Sequence, residues 1–116
     1  MIIELHQERD LEELLERSHK DPVVIFKHST QCSRSAEAYE EYETFMAGNP
    51  GTPCGTLLVI EDRRLSDELE ERFGIRHESP QAIVVSNGNA IWHASHFAVT
   101  ARALEEAVAE VSKQRR

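Results

Sequence analysis

Cys32 is the residue around which a chemistry can be read. It stands between a polar connector, His28-Ser29-Thr30-Gln31, and a helical pattern that lasts to about Met46. A thiol at the start of a helix meets backbone N–H groups that have no intrahelical partner, at the positive end of the helix dipole, and both favour the thiolate. The thiolate is the nucleophile of thiol–disulfide exchange. Free cysteine is also among the most buried residue types, so a cysteine that merely packs is the competing reading. Gln31, Ser33, Arg34 and Ser35 put nothing apolar around the sulfur in sequence, which favours reactivity.

The elements that must hold Cys32 are legible on both sides. Pro22 introduces Val23-Val24-Ile25-Phe26, an unbroken β-branched and aromatic run that suits a central strand buried on both faces. After Cys32, the residues Ser35, Ala38, Tyr39, Tyr42, Phe45 and Met46 recur at helical spacing. Glu37, Glu40, Glu41 and Glu43 fall on the other face and read as a solvated surface, not as paired catalytic acids.

Length and composition bound the rest. The 116 residues suit one domain spanning 1–116, with 40% hydrophobic and 29% charged residues and a mean hydropathy of −0.49. A net charge of −8 argues against a nucleic-acid-binding surface. No apolar run approaches the ~20 residues of a membrane span, and the N-terminus lacks the basic and apolar regions of a signal peptide. The expectation is a cytoplasmic protein that engages neither membrane nor nucleic acid. Two cysteines, at 32 and 54, make neither a disulfide framework nor a metal-ligand spacing, and no metal site is expected.

Taken in order, Ile2 and Ile3 suggest a short strand. Asp10 and Glu13 suit a capping pair for a helix with Leu11, Leu14 and Leu15 inward, ending near Ser18. The turn cluster 48–53 ends the helix that follows Cys32. Cys54 then precedes a strand expected over Thr56–Ile60. Ser66 is expected to cap a third helix, with Leu65, Leu69 and Phe73 inward and Gly74 as its stop. Strands over 81–85 and 89–95 are joined by Asn87-Gly88, a strong hairpin signal. Thr100 can cap a last helix with Leu104, Ala107, Val108 and Val111 inward, and Lys113, Arg115 and Arg116 suit its negative end. Trp92 reads as a packing residue.

The order β-α-β-α-β-α-β-β-α predicts an α/β fold, a mixed sheet flanked by helices on both faces. That is the thioredoxin-like arrangement. Phe73-Gly74-Ile75-Arg76, then a proline, an apolar strand and Asn87-Gly88 resemble the second half of thioredoxins. The resemblance implies that Pro80 is the counterpart of a cis proline facing the active cysteine. Its spacing from Gly74 is one residue longer here. FKHSTQC at 26–32, HESPQ at 77–81, and Trp92-His93 with Ser95-His96 resemble the YtxJ-like monothiol bacilliredoxin family, in order along nearly the whole chain. Three departures stand out, two from dithiol thioredoxins and one, Ser33, from the bacilliredoxin pattern. Cys32-Ser33-Arg34-Ser35 carries a hydroxyl where dithiol relatives carry a second thiol, and Ser33 stands where many relatives have proline. Phe26 also falls where thioredoxins keep a buried carboxylate.

The bacilliredoxin resemblance implies a thiol–disulfide oxidoreductase of the monothiol Cys-x-x-Ser type. It would remove bacillithiol from S-bacillithiolated proteins, with no tightly bound cofactor and bacillithiol as the small-thiol co-substrate. Cys32 is the implied nucleophile. Ser35 can hydrogen-bond the thiolate from the next helical turn, and Ser79, before Pro80, is implied to offer backbone hydrogen bonds to the substrate. His28, His77 and His96 lie at strand or loop ends that this topology brings to the cysteine side. Together with Lys27 and Arg34 they could form a basic rim for the malate carboxylates of bacillithiol. Structural histidines bonded to loop backbone are the alternative. A helix of about 15 residues is ~22 Å long, so Cys54 should lie too far from Cys32 for a disulfide. Two rival functions remain at this point: a non-enzymatic module binding an iron–sulfur cluster, and a sensor in which Cys32 is oxidised to sulfenic acid.

Overall fold

The computed structural model describes residues 2–31 and 33–114, the side chain of Arg34 excepted. Five strands and four helices alternate in the predicted order: β1 Ile2–Glu4, α1 Glu8–Arg17, β2 Val23–His28, α2 Ser33–Gly48, β3 Cys54–Leu58, α3 Arg63–Phe73, β4 Gln81–Ser86, β5 Asn89–Ser95 and α4 Ala101–Gln114. A 3-10 turn at His96–Ala98, which carries no sequence signature, joins β5 to α4. The sheet order is β1-β3-β2-β4-β5, with β2 parallel to β3 and antiparallel to β4. No described helix is long and apolar enough to cross a membrane.

The central position of β2 explains its composition. Val23, Val24, Ile25 and Phe26 are each fully buried, and alternation divides them between two cores. Val24 and Phe26 pack with Ala38, Tyr42 and Phe45 of α2 and with Leu104 of α4, while Trp92 flanks them. Val23 and Ile25 pack with Leu11 and Leu14 of α1 and Leu65 and Leu69 of α3. On β3, a Cβ at Gly55 would lie 2.6 Å from Leu14 Cδ2 and 2.9 Å from Leu5 Cδ1, so glycine is what lets α1 press onto the sheet.

Several local expectations shift. Helix α1 begins at Glu8, so Asp10 is not its first cap but sits one turn inside. Its carboxylate accepts from the backbone N–H groups of His6 and Gln7, each at 3.0 Å. Strand β3 runs over 54–58, not 56–60, because Cys54 and Gly55 pair with β1 on one side and β2 on the other. Tertiary pairing thus overrides the apolar run that continues to Ile60. Ser66 is not the cap of α3. Asp62 precedes that helix, and Ser66 is buried within it. Glu41 is not solvated surface, since its carboxylate accepts from Ala101 N–H at 2.9 Å and tethers the start of α4 to α2.

Other signals hold. Gly74 closes α3 in the left-handed conformation at φ 66°. Asn87 and Gly88 both have positive φ, at 52° and 77°, as a tight hairpin requires. Thr100 Oγ1 accepts from Ala103 N–H at 3.1 Å, the capping bond expected of it. Arg115 and Arg116 lie outside the described residues.

Candidate active site

The C-terminal end of β2, the N-terminal end of β4 and the C-terminal end of β5 meet at one end of the sheet. Lys27 stands opposite Gln81, and Gln81 opposite Ser95. His28, the Ser79–Pro80 segment and His96 therefore share that end, and α2 starts beside it. Cys32 lies outside the described residues. It immediately precedes Ser33, the first residue of α2.

The connector 29–31 is folded back onto the first turn of α2. Ser35 Oγ, fully buried, accepts from Ser29 N–H at 2.9 Å and lies 2.8 Å from His28 Nδ1. Ser29 Oγ accepts from Gln31 N–H at 3.3 Å. The His28 ring stacks on Tyr39 at 4.7 Å and on Phe26 at 5.7 Å. Burial pushes His28 below the ordinary histidine range, against a smaller pull from Glu61, so the ring is held toward its neutral form. If the proton sits on Nε2, the Ser35 hydroxyl donates to Nδ1 and has none left for a thiolate. In the other tautomer Nδ1–H donates to Ser35, whose own proton is then free. The tautomer of His28 thus decides whether Ser35 can play the role expected of it. A cleft of about 390 Å³ opens beside this cluster, lined by His28, Thr30, Ala36, Tyr39, Glu40 and Glu43 among others.

On the other side of the site, the Ser79–Pro80 peptide is cis and Pro80 is buried. Pro80 O accepts from His96 N–H at 2.9 Å. Gln81, the next residue, ties the loop down, a role with no sequence signature. Its Nε2 donates to Arg76 O at 3.1 Å and to Ser95 Oγ at 3.3 Å, and its Oε1 accepts from Lys27 Nζ at 3.2 Å.

Among the described residues, a basic rim is not what assembles. Lys27 is 1% exposed and points away from it, because strand alternation sends Phe26 and His28 toward α2 and Lys27 toward α3. Burial lowers Lys27 from 10.5 to about 8, opposed by the charges of Glu70, Asp67 and Glu78. His77 is exposed, with its ring Nδ1 3.3 Å from Ser66 Oγ and its backbone N–H on Glu70. Partial desolvation first, then the charge of Lys27, pushes it toward neutrality. His96 Nε2 lies 3.9 Å from the Glu78 carboxylate, so this imidazole faces an acid. The side chain of Arg34 lies outside the described residues.

Cys54 contrasts with the thiol expected at the site. It is 1% exposed, at the start of β3, and burial pushes its thiol up to about 11. It pairs with Val24, four residues before the His28 end of β2, hence ~13 Å along the strand from the site. The described carboxylates close enough to share an ion, Glu8, Glu12 and Glu68, lie elsewhere, and Arg72 already pairs with two of them.

Residues 3–104 match the family described as monothiol bacilliredoxin BrxC. A solved thioredoxin-fold protein, proposed to be an oxidoreductase, superposes with a TM-score of 0.84 at 30% sequence identity, over 91% of this chain and 92% of that one. Thioredoxin from Fasciola hepatica superposes with a TM-score of 0.77 at 14% identity, over 93% and 97% of the two chains. Thioredoxin from Trypanosoma brucei brucei gives 0.78 at 10%, over 97% and 92%. At those identities the two thioredoxins share the fold alone, and the thioredoxin-like fold is the fold of this chain.

Proposed function

The chain belongs to the monothiol bacilliredoxin family BrxC, and from that premise we propose that it removes bacillithiol from cytoplasmic S-bacillithiolated proteins, with Cys32 as the nucleophile. At the coarser level it is a thiol-disulfide oxidoreductase of thioredoxin fold. Cys32 thiolate attacks the small-thiol sulfur of the mixed disulfide, the protein thiolate departs, and the small thiol stays on Cys32. A second molecule of free thiol then attacks that adduct, giving the low-molecular-weight disulfide and restoring the thiolate. Bacillithiol serves as co-substrate, and no resident cofactor is required.

The observation that carries this reading is the state of the other thiol. The chain has two cysteines, and Cys54 is buried in β3 with its thiol pushed up to about 11. A thiol held protonated in the core neither attacks nor resolves at neutral pH. A one-cysteine cycle fits that arrangement. Backbone groups at Ser79 suit the substrate chain beside the disulfide.

Intact-mass measurement after parallel incubation with bacillithiol disulfide, glutathione disulfide and peroxide tests the proposal. The parent protein and Cys54→Ser should each gain one bacillithiol adduct and turn over with added free thiol, while Cys32→Ser should do neither. Native Cys54 should resist alkylation at pH 8. A Cys32–Cys54 disulfide in active monomer would overturn the one-cysteine cycle. Modification by peroxide alone would favour the sensor instead.

A further inference from the structure

The hairpin that joins β4 to β5 carries a chemistry of its own, apart from thiol exchange. Asn87 and His96 are the two described residues other than glycine with positive φ, at 52° and 56°. For Asn87 that conformation belongs to the tight turn it forms with Gly88. In an Asn-Gly step the main-chain nitrogen of the glycine can attack the Cγ carbonyl of the asparagine, and no glycine side chain hinders the approach. Ring closure forms the N–Cγ bond and breaks the Cγ–Nδ2 bond. The glycine proton passes through solvent to the departing ammonia. Water then opens the succinimide at either carbonyl, giving an aspartyl or an isoaspartyl residue. No electrons are transferred, and water is the co-reactant.

The fold holds the attacking atom. Gly88 N–H donates to Ser18 Oγ at 2.9 Å, and Asn87 N–H donates to the Ser18 carbonyl at 2.8 Å. Ser18 is fully buried at the C-terminal end of α1. Its own hydroxyl proton goes to Leu15 O, so its Oγ meets Gly88 as an acceptor. Asn87 is exposed, so base and water are at hand once the glycine nitrogen is released. We propose that Asn87-Gly88 is a self-modification site that Ser18 keeps latent, and that the chain deamidates there only when the end of α1 and the hairpin part. The isoaspartyl product adds a methylene to the main chain of a turn flanked by the Ser86–Asn89 pair. β5 is an edge strand held by β4 alone, so its register depends on that turn.

Peptide mapping of the full chain, aged at mildly alkaline pH, measures the aspartyl and isoaspartyl products at position 87. Ser18→Ala should deamidate about tenfold faster than the parent, the factor expected for one lost hydrogen bond. Parent protein brought by urea to the unfolding free energy of Ser18→Ala should deamidate more slowly than that variant, because its native molecules still hold the Gly88 nitrogen. That comparison separates release of the turn from loss of overall stability. Should Ser18→Ala fail to fold, the parent alone decides. Its native form should deamidate at least about tenfold more slowly than the same chain in high urea, and its Gly88 amide should be protected from hydrogen exchange. A native parent that deamidates as fast as the unfolded chain would overturn the inference. So would a Gly88 amide that exchanges as freely as an unbonded one, or a Ser18→Ala rate matched by the urea-weakened parent.

Discussion

Phe26→Ala should lower the unfolding free energy by ~3–5 kcal/mol, a large part of the 5–15 kcal/mol that holds an ordinary domain together. Phe26 is fully buried on the central strand. Its ring stacks on Tyr42 at 4.6 Å and lies 6.0 Å from Tyr39 and 5.7 Å from His28. Alanine would leave a cavity walled by two tyrosines whose positions are fixed by α2, so collapse around it is limited. Because His28 rests on the same ring, exchange activity should fall even at temperatures where the variant is folded. Urea unfolding of both proteins gives the measurement. A loss below ~1 kcal/mol with an unchanged m-value would show that the aromatic stack is not the keystone of this core.

Lys27→Met should reshape the dependence of stability on pH. Burial lowers Lys27 from 10.5 to about 8, so the folded chain releases this proton earlier than the unfolded chain does. Between pH 8 and 10.5 the unfolded state binds more protons, and the parent therefore gains stability as pH rises. Below pH 8 both states are protonated and the cost of burying the ammonium is fully present, on the order of 3 kcal/mol. Methionine has a similar shape and no such cost, although Gln81 Oε1 then loses its donor, a penalty of ~1–3 kcal/mol. Those opposing amounts nearly balance at pH 7. The sharp expectation is the slope: from pH 7 to pH 10 the parent should gain on the variant by ~2–3 kcal/mol. Parallel stability curves across that range would mean that Lys27 is not held as a buried cation.

Much of the architecture was legible because local signals and tertiary demands agree. Val23–Phe26 is apolar on both faces and becomes the strand covered on both faces. Asn87-Gly88, Gly74 and Thr100 each sit where a backbone conformation or an unpaired N–H calls for that residue type. Legibility ended where long-range pairing decides. Cys54 and Gly55 belong to β3 because β1 and β2 flank them, and Ile60 falls outside because neither neighbour reaches it. At the site, sequence adjacency misled for Lys27, whose neighbour His28 points to the opposite face. Gln81 binds the side chains of Lys27 and Ser95, and Glu41 the backbone N–H of Ala101, all distant in sequence, so nothing around them announces the role. The conformation of His96 belongs to the turn after β5, at a position where composition would favour glycine.

The antiparallel pairing of β2 with β4 has a consequence for cooperativity. His28 belongs to one strand of that seam, and Pro80, leading through Ser95 to His96, belongs to the other side. Val23 meets Val85 across it, so the seam closes only when segments from the two halves of the chain have come together. No fragment confined to one half of the sequence can then carry the site, and a partly folded form with β2 released from β4 should be inactive. Loss of the site and opening of this seam then coincide, and the amides of Ile25 and Ile83, which face each other across it, should be among the slowest of the chain in a hydrogen-exchange measurement.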